Sequence, residues 1–349
     1  MTHSPASTTA KVQFSQPSSS PTEAFESKLH SLAVLWARKY YLSVSSANDD
    51  LSISADESAI EVDSLPGRAR TAEKLLQNLT LASAQAWSFT ETLLSEEIRR
   101  HGINPELINP LQIAADTRHL FEKALDGYAN GFPPARLSVI LGRDCGKVRQ
   151  KYTAEDPRAI GFVSMQFHYT GQKLLEWLSA SEKELFAPYL KVMDDHMYMP
   201  LQASYEAAAN HDEHSPVLIA VQKLLPISTR IAHAVYDRVS RQHPSYHSYS
   251  GALTQEIVKI SSIRDVEMFQ VYLCLCVLEA SIGSVQQELF PLCVMLYPRL
   301  QVSWTLVQEM LQGIFWEMHG QLPLEYVAIF LPYLRTLSEM FSQSVFRDK

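Results

Sequence analysis

Three features of this sequence predict an all-α fold. Apolar residues return at three- and four-residue steps over long stretches, the spacing of one face of a helix. Only 12 of the 349 residues are glycine, too few for a sheet-rich fold with many tight turns. No segment alternates convincingly as a strand (residues 137–141 come nearest and are short), and no repeat of constant period marks a solenoid. The expected architecture is a large bundle of roughly ten helices around a central apolar helix, in one large or two closely packed units.

The elements follow in chain order. Residues 1–21, rich in Ser, Thr and Pro, read as a disordered tail. Residues 22–42 carry the stripe Phe25, Leu29, Leu32, Leu35, Trp36 and Tyr40, an amphipathic helix. Residues 43–66 follow as an acidic linker, with Asp49, Asp50, Asp56, Glu57, Glu61 and Asp63 and no Lys or Arg before residue 66. Together they form a helix on a tether that docks on the main body or on a partner. Residues 67–349 make the helical core, with a subdivision near 155 as an option.

Within the core, residues 68–101 give a long helix whose stripe includes Leu75, Leu79, Ala82, Ala86 and Leu94, with Gly102 as its stop. Asn104-Pro105 and Asn109-Pro110 each pair a cap with Pro at the first helical position, and the second opens a helix to about residue 128. Residues 132–151 form a shorter helix between Gly-bearing loops. Asp156-Pro157 opens the next. Ser181 with Glu184 reads as a capping box for a helix to Met199, continuing kinked past Pro200. Ser215-Pro216 opens a helix to about residue 242, with a kink at Pro226, and residues 243–251 are a polar and aromatic turn region. Ser262 with Asp265 resembles an N-cap box before the unbroken apolar octet 271–278, and a second apolar block spans 289–298. A helix apolar around its whole circumference must be covered on all sides, so this is the central post. Two amphipathic helices, 302–320 and 323–346, complete the chain.

The balance of 46% hydrophobic and 19% charged residues is that of a folded protein, and no apolar run reaches the roughly 18 residues that cross a bilayer. With no secretory signal pattern, the chain reads as cytoplasmic. Cys274, Cys276 and Cys293 sit in the most apolar stretches and read as packing residues in a reducing compartment. The net charge of −8 lowers the expectation of nonspecific nucleic-acid binding. Locally, residues 136–151 reverse it with Arg136, Arg143, Lys147, Arg149 and Lys151 against the single acid Asp144. This patch is available to phosphates, to an acidic partner or to the chain's own acidic linker.

Complete chemical motifs are missing, so no catalytic residue and no metal ligand is assigned. The run from Gly142 to Val148 is one residue short of a phosphate-binding loop and has Val148 where a hydroxyl would meet magnesium. Cys145, flanked by Arg143 and Lys147, is the redox candidate, because nearby positive charge favours thiolate. Asp116, His119 and Glu122 share a helical face but lack the Glu-x-x-His order of di-metal bundles, and the residues from Asp194 to His196, with Glu206, His211 and His214, read as a solvated helix end. Arg264 opens the central helix beside Asp265 and is expected to pair with Asp265, Glu267, Glu279 or Glu288. His168 and Tyr169, beside Phe167 and Trp177, and His196 are the ligand-pocket candidates, with a tetrapyrrole as one group such a face would hold.

The runs GFVSMQFHYTG from Gly161, VMDDHMYMPL from Val192, SIRDVEMFQVY from Ser262 and ELFPLCVM from Glu288 resemble an uncharacterised all-helical protein family of cyanobacteria. The resemblance covers about residues 130–345. It implies a bacterial cytoplasmic setting and transfers no activity. The functional expectation is a non-enzymatic helical scaffold or regulatory protein with a protein partner, contacted through Leu32, Trp36, Arg143, Lys147 and Arg149. A helical pocket for a hydrophobic or tetrapyrrole ligand is the alternative, and a nucleic-acid-binding regulator using the 136–151 patch is the further one.

Overall fold

The structure, a computed structural model, describes residues 21–49, 61–342 and 345. Thirteen α-helices occur among them: α1 (Pro21–Asp49), α2 (Leu65–Arg100), α3 (Pro110–Ala129), α4 (Pro134–Thr153), α5 (Ala159–Glu176), α6 (Ala180–Tyr198), α7 (Leu201–Ala209), α8 (Pro216–Leu224), α9 (Ser228–Gln242), α10 (Glu256–Glu279), α11 (Phe290–Arg299), α12 (Trp304–Gln321) and α13 (Leu324–Met340). One two-residue hairpin, β1 (His247–Ser248) against β2 (Gly251–Ala252), lies between α9 and α10. The all-α prediction holds. The extra helices arise where proline breaks a predicted element. Pro200 separates α6 from α7, and Pro226 sits in a short 3-10 turn between α8 and α9.

α10 is the post. All eight residues of its apolar octet are buried, and α7, α8, α9, α12 and α13 pack around it. Its start differs from the sequence expectation. The helix begins at Glu256, so Ser262 and Asp265 lie in its interior and cap nothing. The capping box of α6 is likewise formed by Ser179 with Glu182, two residues earlier than predicted. Residues 137–141, the nearest strand candidate, belong to α4.

α1 is docked on the body through contacts with α4, α6 and α7. Leu32 and Trp36, expected to face a partner, are buried in the common core, Trp36 at 1% exposure. Burying an indole and a leucine is worth several kcal/mol, so this face is spent internally. The predicted tail 1–21 falls outside the described residues except for Pro21, and so do residues 50–60 of the acidic linker.

Beneath α1 lies a buried charge cluster. Asp195 of α6 and Glu267 of α10 are both fully buried. Lys39 of α1 stands 3.1 Å from Asp195 and 3.0 Å from Glu267, at ion-pair distance but without hydrogen-bond alignment. Lys191 hydrogen-bonds both carboxylates, and the Tyr40 hydroxyl donates to Asp195 at 2.8 Å. Burial pushes Asp195 up, but Lys191 and Lys39 outweigh it and hold its carboxyl well below the usual range. The same two lysines hold Glu267 down against its own burial.

Candidate functional site

A cavity of about 100 Å³ opens where α5, α10, α12 and the hairpin meet. Its polar side carries His168 and Tyr169 of α5, Tyr198 at the end of α6, and Arg264 and Asp265 of α10. Apolar walls come from Leu253, Val258, Leu306 and Met310, and Ser164 and Ser262 line it between.

Local sequence fixes this assembly. The hairpin is held over the site by the Tyr246 hydroxyl, which donates to the Gln301 carbonyl at 2.7 Å and accepts from the Ser303 amide at 2.8 Å. The Tyr249 amide donates to the Leu300 carbonyl at 2.9 Å. Gly251 closes the turn at φ 124°, and a Cβ there would fall 1.9 Å from the Gln255 amide oxygen, so only glycine serves. Ser250 and Ile257 are exposed at the rim and form the mouth.

The electrostatics of the floor are unusual. Arg264 stacks on Tyr198, its guanidinium carbon 4.2 Å from the ring centre. Its ion-pair partner is Asp194 at 3.6 Å, and the same Asp194 oxygen is 2.9 Å from His168 Nδ1. That separation exceeds hydrogen-bond reach, and Arg264 Nε is buried with no acceptor. Asp265 has its Oδ1 likewise without a partner. Burial raises its pKa, against the opposing pull of Arg264 and of the Tyr198 and Tyr297 hydroxyls. Buried polar atoms are normally hydrogen-bonded, and here Arg264 Nε and Asp265 Oδ1, on adjacent residues that line the cavity, are not.

The sequence candidates divide. His168 and Tyr169 both line this cavity. His196 does not. It is buried on the far side of α6, with Nδ1 2.8 Å from the Val192 carbonyl and Nε2 3.4 Å from Ser138, and burial lowers its pKa to about 4. Arg264 and Asp265, read as helix-opening charges, are the floor of the site. Arg264 pairs with none of its four expected partners, because those carboxylates are on other faces or taken by other bases: Glu267 by Lys39 and Lys191, Glu288 by Arg149. The available signal was a charged pair set within an apolar helix.

The Cys145 expectation is overturned. The thiol is fully buried and burial pushes its pKa up to about 12, away from thiolate. Arg143 and Lys147, two residues to either side, lie on other faces of α4 and bond elsewhere. Arg143 pairs with Glu26 of α1, and Lys147 lies 3.9 Å from Asp144. Arg149 is no surface contact either. It is buried, donating to the Met197 carbonyl at 2.6 Å and the Tyr272 hydroxyl at 2.8 Å, and paired with Glu288. Lys151 is held by Asp116. The basic patch is thus largely neutralised by acids of the body. The described acids of the linker turn the other way, Glu61 to Arg70 and Asp63 to Arg68.

The phosphate-loop look-alike is a continuous turn of α4. Gly146 is there for packing, since a Cβ would lie 2.5 Å from Gln202 of α7. Asp194, Asp195, His196 and His211 point to separate partners, His211 reaching the Leu278 carbonyl at 2.8 Å. Among the described residues, no group of three or more His, Cys, Asp or Glu gathers to hold a metal ion, and no helix is long and apolar enough to cross a membrane. Comparison with protein-family models, curated proteins and solved structures finds no match to this chain.

Proposed function

We propose that this is a small-molecule-binding protein whose site is the Arg264 cavity. The observation that carries the reading is the guanidinium itself: stacked on Tyr198, beside a cavity, and without a hydrogen bond among the described residues. Its Nε is buried without an acceptor, while its two terminal nitrogens, not fully enclosed, are the donors a ligand in the cavity would meet. The volume of about 100 Å³ favours a small organic ligand over a tetrapyrrole, since drug-sized ligands occupy about 300–1,000 Å³. The test is ligand-observed NMR with a panel of small probes (phenol, toluene, pyrazole, butyrate and butyramide). Binding to the wild type is expected for at least one probe. It should be lost in Ser262→Leu and Ser164→Leu, which fill the cavity from two sides. Equal binding by both filled variants, or no binding by the wild type, refutes the assignment.

A second reading, a regulatory scaffold acting through protein contacts, is supported by different residues from those first expected. With Leu32, Trp36 and Arg149 internal, its contacts are the exposed Arg143 and Lys147, together with Leu111 of α3, which is 83% exposed beside Trp87 in a groove between α2 and α3. Leu111→Asp should then dissociate a native complex seen by size-exclusion chromatography. An unchanged elution profile counts against it. Nucleic-acid binding has the least support, because the patch it would use is paired with acids.

A further inference from the structure

We infer that the cavity's ligand is a short-chain organic monocarboxylate, its carboxylate held by the Arg264 fork and its chain lying against Leu253, Val258, Leu306 and Met310. This rests on the small-molecule reading above and specifies it.

A guanidinium presents five N–H donors in a planar fork that matches the two oxygens of a carboxylate. Stacking on Tyr198 fixes the plane of that fork before any ligand arrives, which lowers the ordering cost of binding. Asp194 does not saturate it. The 3.6 Å gap is too long for a hydrogen bond, and the oxygen concerned already serves His168. A neutral ligand with one acceptor would leave most of the donors unmet, whereas a carboxylate accepts two in parallel.

The rest of the cavity sets the remaining properties. Arg264 is the single Lys or Arg among the lining residues and already faces Asp194, so a ligand with more than one negative charge is disfavoured. Asp265 would repel an anion if fully charged, but burial, its largest influence, raises its pKa and lessens that opposition. The aliphatic and thioether walls call for an apolar body rather than an inorganic ion. The volume of about 100 Å³ lies below the roughly 150 Å³ of an engineered cavity that takes benzene, which limits the body to a short chain.

The experiment is isothermal titration calorimetry with butyrate, butyramide and butanol against the wild type, Arg264→Gln and Arg264→Lys. Each variant's fold is checked by far-UV circular dichroism. Butyrate should bind the wild type at least tenfold more tightly than either neutral isostere. Arg264→Gln should abolish that preference, and Arg264→Lys, which keeps the charge but loses the fork, should retain part of it. Should Arg264→Gln fail to fold, the isostere comparison on the wild type and Arg264→Lys still decides. If butyramide or butanol binds as well as butyrate, the carboxylate assignment falls and the small-molecule reading stands. If none of the three binds and the wider probe panel is also silent, both fall.

Discussion

Lys39→Met should destabilise the protein by about 3–5 kcal/mol, the cost of removing one partner from a buried ion pair. The ammonium lies 3.1 Å from Asp195 and 3.0 Å from Glu267, both fully buried. At an effective dielectric constant of about 20, each attraction is worth about 5 kcal/mol, and the several kcal/mol spent desolvating Lys39 offset part of the sum. Without it, two buried carboxylates share Lys191 alone and repel each other. The assay is urea unfolding followed by tryptophan fluorescence, since Trp36 lies under the Lys39 ammonium at 3.8 Å, with limited proteolysis to detect α1 leaving the body. The double variant Lys39→Met with Glu267→Gln removes the repulsion and should recover most of the loss. The pH dependence should change sign. In the wild type both carboxyls are held low, so their contribution is present above the ordinary carboxylate range and is lost as pH falls from that range through their lowered folded values. In Lys39→Met one carboxyl should be raised instead, so that lowering the pH toward that range stabilises the variant. A loss below about 1 kcal/mol, the size typical of an exposed pair, or no recovery in the double variant, refutes the reasoning.

Two further predictions concern single residues. His196 titrates at about 4 when folded, against 6.5 when exposed. The unfolded chain therefore binds a proton that the folded chain refuses, and stability falls with pH between those values by up to about 3 kcal/mol. His196→Gln should flatten this part of the stability–pH profile measured by urea unfolding, and an unchanged slope contradicts it. Ala280 ends α10 at φ 49°, in the left-handed region, so Ala280→Gly should stabilise the protein by about 1 kcal/mol in calorimetry, and a loss of stability would count against that strain.

Much of the fold was legible because its signals are local. The stripe of α2 and the octet of α10 state their burial in their own periodicity, and Asn109-Pro110 caps α3 as its spacing implies. Helix starts misled where a serine and an acid recur by chance at capping distance, as at Ser262 and Asp265. The site was half legible. His168 and Tyr169 stand out as polar groups on an apolar face. Arg264 needs Tyr198 and Asp194, more than 60 residues earlier, to show that its fork is unfilled. The stripe of α1 marks a face that is covered, and the chain's own body covers it. What decides that is Lys39 meeting Asp195 and Glu267, and no local pattern pairs residues so distant.

Carboxylate capture by the Arg264 fork is the proposal that specifies the small-molecule assignment. A crystal structure of the wild-type protein with butyrate tests it most directly. Butyrate is expected in the cavity, with its two oxygens in hydrogen-bond contact with the Arg264 guanidinium and its chain against Leu306 and Met310. An empty cavity with the guanidinium turned onto Asp194 would contradict it.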